Sequence, residues 1–540
     1  MIRDVAAPAP AAAGRPGTAP KPHQTTDGAP PANGGGIDPT ILWAVAAGAA
    51  TLAERAAVQP ARPAPTDRVA RAVGTAVAAS SVLAKIVLGL LLALLTAAWF
   101  APVPVSSPAA WRTGILLVGA VAAWAVAILP EYAIALGLVT LYNVSHVGAA
   151  TVSLSGFATP SWFLLLATLG LGTALAKSGL LTRVALRLLA LFPPTFQGQS
   201  AALLLGGIAV TPLFPLTVAR CSLAGPLTAS LAGALGFRPG SREAAGLGLA
   251  AFVGSGLMSR TFLSGATLNL VAWGLLPAEA RLGWGAWLVA AVPSTLIVVV
   301  GTLAAIRIAY MPSEDRPLSK EVVRERLAAL GPVSRAEVWA GGVAIAMLAG
   351  FVVGPRFGVE TAWVGCGGVF VLAASGVLTK EQLRQGVDWP LLVFLGVVLS
   401  LPAMLAHVGL DLHLAAAFST WAGSLEVDAW AAVALLFAAT IAARFVLSEW
   451  VAVPVLTMAF LPAAPALGLH PWVTAYIVLV GANLWLLPYQ FTSYLTFVSG
   501  SEGKLFEHRQ VSGFGAAYLF LALGGLLASI PLWRALGLLG

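Results

Sequence analysis

Three ionisable residues stand inside runs otherwise fit for hydrocarbon, and two polar interruptions follow them. Residues 211–230 read TPLFPLTVARCSLAGPLTAS, which sets Arg220, Cys221 and Ser222 beside Thr217 and Thr228. Residues 443–457, ARFVLSEWVAVPVLT, place Arg444, Ser448 and Glu449 at comparable depth. A charge at the bilayer centre costs a few kcal/mol or more, so such a side chain faces a partner or a water-filled cavity. A guanidinium is suited to bidentate capture of a carboxylate or sulfate. The same arginines can instead snorkel or pair with Glu449, which is a purely structural role. The interruptions are Ser264, Gly265, Thr267 and Asn269 in SGATLN, and Thr492, Ser493 and Tyr494 after LLPYQ. Glycine and serine there favour unwinding, and the freed carbonyls and half-helix ends can hold a cation or an anion. They also permit close helix packing, which does not account for Asn269 or Gln490. Arg260, one turn earlier, reads as a third cationic group or as an interfacial anchor.

The composition says what solvent these residues sit in. Of 540 residues, 59% are hydrophobic and 10% charged, against about 25% charged in a soluble domain. The chain reads as an all-α polytopic membrane protein. Apolar runs predict about eleven transmembrane helices, at residues 84–101, 113–129, 132–148, 161–178, 243–276, 285–309, 338–355, 361–378, 389–408, 471–500 and 512–533. Two further segments, 200–236 and 429–463, are cut midway by Pro, Arg, Ser or Glu and suit re-entrant hairpins. Lys177, Arg183, Arg238, Arg242, Arg324, Arg326, Lys380 and Lys504 fall in loops on one predicted side. The positive-inside bias makes that side cytoplasmic, with the amino terminus inside and, after an odd number of crossings, the carboxyl end outside.

The formal charge of +8 comes from the amino-terminal tail and the loops, with no basic stripe for nucleic acid. Cys221 and Cys366 show no metal-ligand or disulfide spacing, and no catalytic fingerprint follows a strand, so no enzyme is indicated. Residues 1–78 form a Pro/Ala/Gly-rich stretch expected to be a disordered cytoplasmic tail carrying a short surface helix, and no cleavable signal pattern opens it.

An internal repeat organises the rest. Residues 162–180 are echoed by 389–410, residues 225–237 by 453–469, and the SGATLN stretch by 487–500, at an offset of about 226 to 230 residues. The expected units are 79–310, a first helix plus the first copy; 311–337, a cytoplasmic linker; and 338–540, the second copy. Five crossings per copy give opposite orientations, the inverted-topology repeat of many secondary transporters.

The order hairpin, broken helix, repeat, hairpin, broken helix resembles the divalent anion:sodium symporter family of the ion transporter superfamily over residues 84–534. GATLN at 265–269 is similar to that family's Gly-Thr-Pro-Pro-Asn turn, and LLPYQFTSYLTFVSG to its second-copy turn. The Ser-Asn-Thr signatures of the hairpin tips are replaced here by Arg220-Cys221-Ser222 and Ser448-Glu449-Trp450. The resemblance implies an elevator-type homodimer in a bacterial-type cytoplasmic (inner) membrane, with the lipid bilayer and a small anionic solute as its other partners. It implies no cofactor beyond Na+ as a coupling ion.

The resulting expectation is a secondary active transporter of a small anion, dicarboxylate, sulfate or related, coupled to Na+ or H+ or working by exchange. Substrate contacts are expected from Arg220, Ser222, Thr267, Asn269, Arg444, Ser448, Thr492 and Ser493. Coupling-ion contacts are expected from Ser264, Gly265 and Glu449, with Na+ near Ser264, Asn269 and Ser448. Glu449 either pairs with an arginine or carries a coupling proton. Two other readings stay open: a cation/proton antiporter of the same superfamily, disfavoured by the scarcity of intramembrane carboxylates, and a non-transporting structural membrane subunit.

Overall fold

Prolines, hydroxyls and short polar caps punctuate this chain, and the helices begin where they fall. A computed structural model describes residues 86–87, 89–101, 107–127, 129–313, 320–423 and 427–539. All of them lie in one compact unit, Ala78–Gly540. The expected tail and surface helix fall outside the described residues.

The first helix is α1 (Gly89–Phe100). Ten more follow: α2 (Pro108–Val126), α3 (Glu131–Val144), α4 (Ala150–Ser153), α5 (Pro160–Ser178), α6 (Leu180–Leu191), α7 (Phe196–Val210), α8 (Thr217–Ala234), α9 (Arg242–Ser255), α10 (Thr267–Leu275) and α11 (Trp284–Ala309). After α12 (Lys320–Ala329) the same order returns: α13 (Arg335–Val353), α14 (Thr361–Ala374), α15 (Lys380–Gly386), α16 (Trp389–His407), α17 (Leu410–Gly423), α18 (Ala429–Ala443), α19 (Glu449–Phe460), α20 (Pro471–Ala482), α21 (Thr492–Gly500) and α22 (His508–Ala535). Corresponding helices start 224 to 233 residues apart. The repeat therefore runs from α2 to α11 and from α13 to α22, with α1 outside it and α12 in the linker.

Among the described residues, six helices are long and apolar enough to cross a membrane: α2, α5, α11, the run Arg335–Phe357 that contains α13, α16 and α22. Of the other five expected spans, three correspond to the shorter apolar helices α1, α3 and α14, and two are broken. The apolar runs at 243–276 and 471–500 are continuous in hydropathy but not in backbone: α9 and α20 stop at Ser255 and Ala482, and after short 3-10 turns the chain resumes as α-helix at Thr267 and Thr492. The segments read as hairpins are each helix, break, helix, with α7 starting earlier than expected, at Phe196. Pro212 and Pro215 fall in the first break, and Pro226 and Pro454 interrupt the hydrogen-bond ladders of α8 and α19 at matching places.

Close backbone approach holds α7 against α9. A Cβ on Gly254 would sit 2.3 Å from the Leu204 carbonyl oxygen, so only glycine fits the crossing. The two copies interlock through polar contacts of long sequence separation: Trp162 Nε1 donates to the Leu392 carbonyl (3.1 Å), Ser400 Oγ accepts from Gly156 N–H (2.8 Å), and Trp533 Nε1 donates to the Ala290 carbonyl (2.9 Å). Outside that interface, Arg183 on α6 pairs with Glu337 at the start of α13 (2.7 Å) and donates to the Gly331, Leu330 and Pro332 carbonyls, fixing α6 to the entry of the second copy.

Candidate functional site

Every helix has orphan N–H groups at its start, and most soluble and membrane helices satisfy some with a side chain at the N-cap. In each copy the pattern here divides sharply. The helices α7, α9, α18 and α20 are capped by Thr195, Ser241, Asp428 and His470. The helices that follow them, α8, α10, α19 and α21, begin after Leu216, Ala266, Ser448 and Phe491, and none of these makes a side-chain cap.

The four uncapped starts meet at one cavity of about 500 Å³. Its wall includes Thr217 from α8, Thr267 and Asn269 from α10, Glu449 and Trp450 from α19, and Thr492 and Ser493 from α21. The wall also takes in Glu131 and Tyr132 at the start of α3 and Asp388, Pro390, Leu391 and Phe394 around the start of α16. Helix N-termini carry partial positive charge, so this convergence is a ready anion site built from backbone.

The complementary helix ends are handled by the buried arginines. Arg220 Nε donates to the Ser255 carbonyl at the end of α9 (2.9 Å), and its other nitrogens reach the Phe214 carbonyl in the first break and Thr217 Oγ1 (3.2 Å). Arg444 Nε donates to the Ala482 carbonyl at the end of α20 (3.0 Å), and its other nitrogens reach the carbonyls of Leu447 and Gln490. The two arginines come from different arms, Arg220 from within α8 and Arg444 from the end of α18, yet both hold the carbonyl that closes the equivalent helix. Each guanidinium thus sits among carbonyls from separate elements, at negative helix ends. Neither arginine lines the cavity.

The other expected residues divide likewise. Thr267, Asn269, Glu449, Thr492 and Ser493 are brought together in the wall. Asn269 also braces the unwound link, donating from Nδ2 to the carbonyls of Ser259 (2.9 Å) and Phe262 (2.8 Å). Ser222 donates to the Ala219 carbonyl within α8 (2.8 Å). Ser264 donates to the Pro212 carbonyl (3.0 Å) and accepts from Trp284 Nε1 (3.0 Å), tying the first break to the unwound link. Gly265 packs where a Cβ would meet the Ser259 carbonyl oxygen at 2.1 Å. Ser448 immediately precedes Glu449 without lining the cavity. Of the three residues expected near Na+, Ser264 and Asn269 donate to backbone carbonyls of the first copy, and Ser448 belongs to the second. Among the described residues no group of three or more His, Cys, Asp or Glu is arranged to hold a metal ion.

Glu449 is 5% exposed and stands with Thr492 in the cavity wall. Arg260 is buried, its guanidinium 5.7 Å from the centroid of the Tyr518 ring, and donates to the Leu257 carbonyl (2.8 Å) and Tyr518 hydroxyl (2.6 Å). It is an interior cation, not an interfacial anchor. Sequence reasoning missed Glu131, Asp388 and Asn483. The first two follow or precede a proline at a predicted span boundary, LPEY and DWP, and Asn483 ends α20 in GANLW; those polar breaks in apolar runs were the available signals.

Four helix starts meet at one cavity in a repeated all-α membrane protein, and comparison gives the family. The family model described as "Sodium:sulfate symporter transmembrane region" matches residues 83–526, and the chain belongs to that family. It is a multi-pass membrane transporter, not an enzyme. Dicarboxylate transporter 1 of Arabidopsis thaliana chloroplasts is 24% identical over 413 residues, 74% of this chain and 73% of that protein. The putative malate transporter YflS of Bacillus subtilis is 24% identical over 323 residues, covering 58% and 67% of the two chains. The inner membrane protein YbhI of Escherichia coli is 25% identical over 334 residues, covering 59% and 70%. Among solved structures, the Alcanivorax borkumensis YdaH transporter aligns with 85% of this chain and 98% of its own at 16% identity and a TM-score of 0.47.

Proposed function

We propose that this chain is a secondary carrier of small dianions, dicarboxylates or sulfate, that works by exchange and does not need sodium. The observation that carries the reading is the convergence of four uncapped helix N-termini, two from each copy, on one cavity. Relatives named for dicarboxylate and malate transport support the substrate class. In this reading α7–α8 and α18–α19 are re-entrant hairpins, the two copies lie inverted in the bilayer, and a homodimer moves its cavity-bearing elements as an elevator.

The coupling argument rests on Arg220 and Arg444. A cluster of backbone carbonyls from unwound segments and helix ends is the chemistry that coordinates an alkali cation. Here a tethered guanidinium occupies it permanently. Apart from the Arg183–Glu337 pair, the buried charges among the described residues are Arg220, Arg260 and Arg444 against Glu449. An empty carrier with this excess of positive charge is costly to move through hydrocarbon, and a bound dianion offsets the excess. Return without substrate is then suppressed, which is the condition for exchange.

Thermal-shift measurements on detergent-purified protein test the binding step. Succinate, malate, citrate and sulfate, compared at constant ionic strength with and without sodium, should include at least one that raises the unfolding temperature equally in both salts. Stabilisation by sodium or lithium alone, with none by any anion, would move the assignment to a cation antiporter.

A further inference from the structure

Each copy carries a ring N–H at the first residue of its last helix, and each donates into the unwound link of its own copy. On α11 this residue is Trp284, whose Nε1 donates to Ser264 Oγ (3.0 Å) while its ring stacks on Phe262. On α22 it is His508, whose Nε2 lies 3.0 Å from the Leu486 carbonyl oxygen. A carbonyl oxygen only accepts, so Nε2 carries the hydrogen. The imidazole differs from the indole in having a second nitrogen, and Nδ1 lies 2.8 Å from the hydroxyl of Tyr494 on α21. In the neutral ring Nδ1 accepts that O–H. The third residues of α10 and α21 are likewise matched in place and different in use. Asn269 lines the cavity and itself braces the first link, through the Ser259 and Phe262 carbonyls. Tyr494 does not line the cavity; it is 1% exposed, packed among the rings of Phe252, Trp485 and Phe506, and its hydroxyl bonds to His508.

We infer that His508 is a positioning residue for the anion site, tying the link before α21 to α21 itself from outside the cavity and so fixing where Thr492 and Ser493 stand in the wall. This rests on the reading of the cavity as an anion site and adds to it a residue that the wall does not contain. Thr492 and Ser493 are the first two residues of α21, and Tyr494 follows them directly. No side chain caps that helix, so its start is held by what surrounds it. Residues 483–491 form no α-helix, and a helix that begins after such a break can tilt or shift unless the two sides of the break are joined. One rigid ring bonded to the link and to α21 at the same time is such a joint. Without it the Leu486 carbonyl and the buried Tyr494 hydroxyl both lose a partner. Helix-borne N–H groups hold an anion only when they are aimed at it, so a small displacement of α21 lowers affinity without unfolding the protein. In the first copy the same task is divided between Trp284 and Asn269, and no single ring spans link and helix.

The test is calorimetric titration of full-length protein in detergent with whichever of succinate, malate and sulfate the wild type binds most tightly, paired with the unfolding temperature of the ligand-free protein. His508→Leu and Tyr494→Phe should each bind about tenfold or more weakly than wild type, the loss expected from one hydrogen bond that aims the site. The double variant should bind no more weakly than His508→Leu, because both changes cut the same tie. His508→Gln should stay within about threefold of wild type, since one amide offers an N–H to the Leu486 carbonyl and an oxygen to the Tyr494 hydroxyl. A purely structural role predicts lower unfolding temperatures with unchanged affinity in the folded protein, and that result would overturn the inference. Equal losses in His508→Leu and His508→Gln would overturn it as well. Should His508→Leu fail to fold, Tyr494→Phe decides the matter, because it deletes a single hydroxyl and leaves the bond to the link in place. Variants that bind as tightly as a binding-competent wild type sink this inference alone. A wild type that binds none of the three anions overturns the anion-site reading and the inference together.

Discussion

Replacing Arg444 by alanine is expected to abolish exchange and to make the stability of the protein depend on sodium. The side chain satisfies the carbonyls of Leu447, Ala482 and Gln490, which come from the break before α19, the end of α20 and the unwound link before α21. Its removal strands three acceptors in the interior, each costing about 1–3 kcal/mol when left unpaired. A loss of several kcal/mol is a large fraction of the stability of an ordinary domain. The vacated space is walled by carbonyl oxygens, so a small cation can enter it and restore part of the loss. Arg444→Ala should therefore unfold at a lower temperature than wild type, and recover with sodium but not with a bulky organic cation at the same ionic strength. Arg444→Lys should fall between the two, since an ammonium brings donors without the planar fork that reaches three elements. A variant as stable and active as wild type would show that the carbonyl cluster does not need its cation.

Thr267→Asp is expected to leave the fold intact while weakening anion binding by at least about a hundredfold. Thr267 is the first residue of α10, lines the cavity and follows an N-cap, Ala266, that gives no side-chain bond. An acidic side chain in the first turn interacts favourably with the helix dipole, by about 0.3–1 kcal/mol, so the helix itself is not harmed. The introduced carboxylate then occupies the uncapped start of α10 that the proposed reading leaves to substrate. A hundredfold loss corresponds to about 2.7 kcal/mol, within the cost of placing like charges together. The measurement is paired: unfolding temperature without ligand, to verify the fold, and ligand titration by calorimetry. Unchanged affinity in a folded variant would remove α10 from the binding site.

Much of this site was legible in the residues, for reasons that also explain what was not. Ser264, Gly265, Thr267 and Asn269 sit in a run that no helix in lipid tolerates without breaking, and the break does open at residues 256–266, between α9 and α10. Glu449 stood out because a lone acid amid Val, Leu and Trp needs a partner or a cavity, and it does lie in the cavity wall. The arginines were conspicuous for the same reason, yet their direction was not readable. A sequence places Arg220 and Arg444 near the cavity in the chain but does not say that each side chain turns toward a helix C-terminus instead. Glu131 and Asp388 lie more than 250 residues apart, at the starts of α3 and α16, and only the packing of the two copies brings them to one wall. The repeat was visible where turns and polar residues recur, around α5, α8 and α10. Counting α9 with α10, and α20 with α21, as single spans followed from hydropathy alone, which registers solvent preference and is blind to backbone continuity.

The account stands most directly on exchange without sodium. Purified protein reconstituted into vesicles, loaded or not with a dicarboxylate and given the radiolabelled compound outside, distinguishes the alternatives. The account predicts rapid label entry only into loaded vesicles, at the same rate in sodium as in potassium. Label accumulating in unloaded vesicles under an inward sodium gradient would contradict it.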